Sequence, residues 1–189
     1  FLAGAGLQDA ALSFGGYSSS SGGTVATTES FNGTSWTNKN NMNTARNGLA
    51  GCGTQTAALS FGGYSVLATT EAFNGTSWTT KNNMNNGRNG LAGARTQTAA
   101  LSFGGLTGSS LAVTEAFNGT SWTTKNNMNN GRQYLAGAGL QDAALSFGGY
   151  SSTVVAVTEA YNSYFFTQLN ILRFVKPSYA PPPNFFPFF

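Results

Sequence analysis

Ala57-Ala58-Leu59-Ser60-Phe61-Gly62-Gly63, then after a short loop Thr69-Thr70-Glu71-Ala72-Phe73-Asn74-Gly75-Thr76-Ser77-Trp78, decides the fold, because the chain writes this stretch out repeatedly. Copies run from Gly15-Gly16 to Trp36, from Gly62-Gly63 to Trp78 and from Gly104-Gly105 to Trp122. A decayed fourth runs from Gly148-Gly149 to Tyr161-Asn162. A period of 42 to 47 residues with four strand-like segments per unit marks a repeat architecture.

The repeat is rigid in one part and elastic in another. From the second glycine of each pair to the next Glu the separations are 13 (Gly16 to Glu29), 8 (Gly63 to Glu71), 10 (Gly105 to Glu115) and 10 (Gly149 to Glu159). From that Glu to the following second glycine the separation is 34 each time. All length variation therefore sits in the loop after the glycine pair.

Alternation and turn chemistry divide the constant part into four strands. Leu49-Ala50-Gly51-Cys52 forms strand A, Ala57 to Phe61 strand B, Thr69 to Phe73 strand C, and Ser77-Trp78 through Lys81 strand D. Asn74-Gly75 reads as a two-residue type I′ hairpin turn, which needs positive φ at both positions. Helix is excluded by the lack of apolar residues at i, i+3, i+4 and i+7 and by Gly, Thr and Asn in nearly every window. A meander of four antiparallel strands at this period is the blade of a β-propeller. The expectation is an all-β propeller of about four blades, near residues 1–42, 43–84, 85–128 and 129–170. An irregular tail rich in aromatic residues and proline follows over 171–189.

With those residues in place, the chain resembles the kelch-repeat family: apolar strand, Gly-Gly, a strand with Glu two residues before an aromatic (Glu71 and Phe73), then Trp78, and Arg88 before the next repeat. The likeness covers residues 1–162. Its Asn-Gly-Thr-Ser-Trp-Thr form is similar to kelch-like reading frames of marine phage and metagenomic sequence, which implies a setting beside virion structural proteins. The interval from Phe31 to Trp36 is shorter than kelch repeats usually show, so the C to D turn should be tight.

Composition limits the chemistry. There is no His, the commonest general base and metal ligand, and this also removes the copper site of galactose oxidase, the best-known enzyme on kelch blades. The six carboxylates are Asp9, Glu29, Glu71, Glu115, Asp142 and Glu159, four of them one repeat position. Such symmetry makes an acid and base pair with divergent environments hard to build. No catalytic residue, cofactor or metal is expected. Nine basic residues are scattered without a run, and no stretch of 18 apolar residues exists, so neither nucleic acid nor a membrane is an expected partner. Only 8% of residues are charged, so the surface is solvated by hydroxyls and amides, as in secreted stalks and virion fibres. Cys52 fills a slot held by Ala5, Ala94 and Ala138 and reads as a small core residue.

The repeating positions offer candidates for binding. Glu29, Glu71 and Glu115 stand 17 residues ahead of Arg46, Arg88 and Arg132. Either a brace recurs in each blade or a ring of arginines surrounds a ligand. Strand alternation brings the B–C and D–A connections to one end of the propeller, with Arg46, Arg88 and Arg132 and, after the glycine pairs, Tyr17, Tyr64 and Tyr150. These six are the candidate ligand-binding residues, with packing over the blade edge the alternative for the tyrosines. Trp36, Trp78 and Trp122 are read as fillers between blades. The three Asn-Gly-Thr sequons are explained by their hairpins without glycans.

The expected function is a non-catalytic binding or structural module on a virion or cell exterior, engaging a glycan or protein through the B–C and D–A loop face. A self-associating repeat array or a fragment of a larger propeller is the alternative, and an enzyme a distant third. Phe1 to Ser19 match Tyr134 to Ser152 at every position but the first, so the parent protein is expected to extend upstream. After Asn162 the repeat breaks, with nine Phe or Tyr from Ser163 onward and all five prolines within 177–187. Residues 165–172 keep the pattern of a last strand D, and beyond them a genuine cap and a frameshifted tail are both open.

Overall fold

The computed structural model describes residues 1–162 and 166–168. They form four small antiparallel sheets arranged as a four-blade β-propeller, without a helix among the described residues. The first blade comprises β1 (Ala3–Leu7), β2 (Ala10–Phe14), β5 (Thr28–Phe31) and β6 (Trp36–Lys39); between β2 and β5 its loop adds a two-stranded ribbon, β3 (Tyr17–Ser18) and β4 (Gly23–Thr24). The second blade holds β7 (Ala50–Thr54), β8 (Ala57–Phe61), β9 (Thr70–Phe73) and β10 (Trp78–Lys81). The third holds β11 (Ala92–Thr96), β12 (Ala99–Phe103), β13 (Thr114–Phe117) and β14 (Trp122–Lys125). The fourth holds β15 (Ala136–Leu140), β16 (Ala143–Phe147), β17 (Thr158–Asn162) and β18 (Phe166–Gln168). β18 supplies the expected last strand D over part of its length; the tail over 171–189 lies outside the described residues.

Strand A is innermost: β1 packs on β7, β7 on β11 and β11 on β15. No comparable packing joins β15 back to β1 among the described residues. The core is accordingly three layers between successive blades rather than one central mass. Phe14, Leu12 and Ala3 of the first blade join Trp78, Phe73 and Ala58 of the second in one such layer. Phe61 meets Trp122 edge-on with centroids 5.0 Å apart, as Phe14 meets Trp78. Burying each of these rings contributes about 1.5–3 kcal/mol.

Small residues in strand A are what let the blades approach. A Cβ at Gly93 would lie 2.7 Å from the Phe61 ring of the preceding blade. The glycine pair answers a different demand: Gly62 and Gly63 have φ of +72° and +142°, and a Cβ at Gly62 would sit 2.7 Å from the Arg88 carbonyl oxygen. Only glycine meets both conditions.

The C to D connection differs from the two-residue turn expected of Asn-Gly. Phe73 pairs with Trp78, leaving a four-residue loop in which Gly75 alone has positive φ (+91°). Asn74 instead accepts through Oδ1 from the amides of Thr76 (3.0 Å) and Ser77 (2.9 Å), so its side chain makes the turn that its backbone was expected to make.

Candidate functional site

Two groups of candidates separate in depth at the end where the B–C and D–A connections meet. Arg46, Arg88 and Arg132 are fully buried, which corrects their placement as surface groups around a ligand. Each reaches forward into the next blade: Arg46 Nη2 lies 3.0 Å from Glu71 Oε1, Arg88 Nη1 2.9 Å from Glu115 Oε1 and Arg132 Nη2 3.0 Å from Glu159 Oε1. The partner is therefore the Glu of the following blade, not the one 17 residues earlier. Glu29 is exposed and has no guanidinium opposite it among the described residues.

The brace also closes the base of the variable loop. Arg46 Nη1 donates to the carbonyls of Gly62 (2.9 Å) and Thr69 (2.8 Å), the residues at either end of the second blade's B–C loop. Arg132 repeats this with Gly148 (2.7 Å) and Val157 (3.0 Å). The carboxylate is filled by backbone amides as well, Asn43 N at 2.7 Å and Thr44 N at 3.2 Å for Glu71. Burial pushes the Arg88 guanidinium down to about 10, opposed by the charge and hydrogen bond of Glu115, and lowers Arg46 for the same reason against Glu71. Both remain cations at neutral pH. The planar guanidinium is suited to this work because it offers donors in several directions at once.

Above this buried layer, the residue after each arginine borders the mouth of the propeller, Asn47 and Asn89 half-buried and Gln133 buried. Asn47 accepts from the Tyr64 amide (2.8 Å), and Gln133 and Tyr150 exchange backbone bonds of 2.9 and 2.8 Å. One position further on, main-chain bonds run around the axis: Gly48 N to Phe1 O (3.1 Å), Gly90 N to Gly48 O (2.8 Å) and Tyr134 N to Gly90 O (2.7 Å).

This frame encloses a cavity of about 470 Å³ lined by Phe1, Tyr17, Tyr64, Tyr134, Asn47, Asn89 and Gly48. Tyr17, Tyr64 and Tyr134 are exposed, and no charged side chain is among the lining residues. Tyr17 and Tyr64 thus line the same cavity. Tyr150 lines an adjoining depression with Leu106, Gln133, Tyr134 and Val154, so Tyr134 is the wall shared by the two. Tyr134 and Phe1 escaped the sequence reading although a signal was present: at the position of Gly48 and Gly90 this repeat alone carries Tyr. Tyr134 keeps the left-handed backbone of those glycines, with φ of +52° against +62° and +59°. Its ring stacks on Phe1 at 5.7 Å between centroids and 20° between planes. A non-glycine residue held there costs about 1–2 kcal/mol, and such strain concentrates at binding sites.

Chemically the mouth offers π faces, phenol hydroxyls and amides, with no charged side chain in its lining. Among the described residues no group of three or more His, Cys, Asp or Glu is placed to hold a metal. No protein-family model matches the chain, and no curated protein matches it significantly.

Proposed function

We propose that the chain is a kelch-type, non-catalytic binding module that takes a neutral glycan into the mouth formed by its B–C and D–A connections. The observation that carries this is the convergence of Tyr17, Tyr64 and Tyr134, from three different repeats, with Asn47 and Asn89 on one cavity lined by no charged side chain. Sugar rings present C–H faces that lie against π systems and hydroxyls that pair with amides and phenols. Tyr and Asn supply both at low entropic cost, each having few side-chain torsions to fix. Scaffold and contact are separated in the way loop-borne recognition requires: the buried arginines hold the frame, and exposed loop side chains differ from blade to blade. The scarcity of charge suits a virion or cell exterior, where hydroxyl- and amide-rich surfaces are usual.

A glycan array, followed by calorimetry on any hit, tests the proposal. Specific retention of a neutral glycan that Tyr64→Ala weakens by about tenfold or more supports it. Silence across the array, with capture of a protein that the same substitution releases, would move the reading to a protein ligand.

A further inference from the structure

We propose that the outer face of blade 4 receives blade 1 of a second copy, so that the chain associates head to tail through a surface built like the interfaces between its first three blades. The inference is independent of what the mouth binds.

The three internal interfaces share a phenylalanine-on-glycine contact and a glutamine clasp, and the first two add a tryptophan. A strand B phenylalanine lies over a strand A glycine of the next blade, as Phe61 lies over Gly93 and Phe103 over Gly137. The next blade's tryptophan covers that ring and donates its indole N–H backwards, Trp78 to Thr28 Oγ1 and Trp122 to Thr70 Oγ1, both 3.0 Å. A glutamine from the next blade's A–B turn donates to two carbonyls of the blade before it: Gln97 to Ala58 and Phe73, Gln141 to Ala100 and Phe117.

Among the described residues, the two end blades expose complementary halves of this set. On blade 4, Phe147 is 40% exposed and Leu145 39%, whereas Phe103 and Leu101 are fully buried. On blade 1, Trp36 is 50% exposed where Trp78 and Trp122 are 5%. Gly4 has no aromatic ring against it, and Gln8, in register with Gln55, is exposed. Docking blade 1 of one copy on blade 4 of another places Phe147 on Gly4 beneath Trp36, and Gln8 opposite the carbonyl of Ala144. Among the described residues the face is exposed and apolar, it follows the pattern of the first two internal interfaces, and it differs on the two partners, which makes the contact heterologous.

Sedimentation equilibrium over a range of concentrations tests this. The expected result is a concentration-dependent rise in mass above the 19.6 kDa monomer. Phe147→Glu and Trp36→Glu should each raise the dissociation constant by about tenfold or more. Because each destroys a different half, mixing the two variants should restore a 1:1 dimer that grows no further. Both side chains are exposed in the single chain, so unchanged circular dichroism melts are expected, and Tyr64→Ala at the mouth should associate like the parent. A monomer at every concentration, or association indifferent to both glutamate substitutions, would overturn the proposal.

Discussion

Trp122 Nε1 donates to Thr70 Oγ1 across 3.0 Å, and this bond ties the third blade to the second. Thr114 is the equivalent hydroxyl one blade later, and its Oγ1 is buried without a partner. In register Phe166 stands opposite Tyr161 where Trp122 stands opposite Phe117, and phenylalanine is a residue without a side-chain N–H. Thr70→Val should therefore strand the Trp122 indole and cost about 1–3 kcal/mol, whereas Thr114→Val removes an unsatisfied hydroxyl and should be neutral or stabilising. Urea unfolding of the two variants compares them directly; equal losses would contradict this account.

The buried ion pairs predict a second asymmetry. Arg88→Ala leaves the Glu115 carboxylate enclosed without its guanidinium and should destabilise the fold by about 3–5 kcal/mol. Replacing both partners by Met and Leu should cost much less than either single change predicts, since neither charge is then left desolvated. Denaturant midpoints of the two singles and the double form the required cycle.

Stability and binding should part company at Tyr134. Tyr134→Gly restores the residue that Gly48 and Gly90 provide at the same left-handed position, and should gain up to about 1 kcal/mol. The same change removes the wall shared by the mouth and its neighbouring depression, so glycan affinity should fall. Melting and calorimetry on one sample check both halves. A variant less stable than the parent by more than about 1 kcal/mol would make the ring a structural element instead.

Cys52 should be silent to thiol reagents in the native protein. Burial pushes its pKa up to about 12 and shuts the sulfur from solvent, so at pH 8 it is neither a thiolate nor reachable. Labelling should begin only as denaturant unfolds the chain, with a rate that tracks the unfolded fraction. Cys52→Ala, which copies the side chain at Ala5 and Ala94, should cost about 1 kcal/mol.

Local patterns carried the fold because each strand is short, alternating and bounded by glycine or asparagine. Strand B over Ala57–Phe61 and strand D through Lys81 end where their turn residues require. Interactions between blades were harder to read. Arg46 is equally compatible in sequence with Glu29 and with Glu71, and only the forward lean of the D–A connection over the next blade selects Glu71. The same lean buries the arginines and lifts Asn47 and Asn89 to the surface, an exchange of roles between adjacent residues that periodicity does not contain. At the mouth, attention to recurring positions found Tyr17, Tyr64 and Tyr150 and passed over Tyr134, which is informative because it breaks the repeat.

The arginine clasp at the base of the B–C loops also bears on how such a protein changes over generations. Gly16, Gly63 and Gly105 each give an amide to the arginine carbonyl of their own D–A connection, at 2.7, 2.9 and 2.7 Å, so the stems of these three loops are fastened although the loops differ in length. Insertions there leave strand register untouched. Recombination between near-identical repeats would exchange whole recognition cassettes, and each new combination would inherit a frame that already folds.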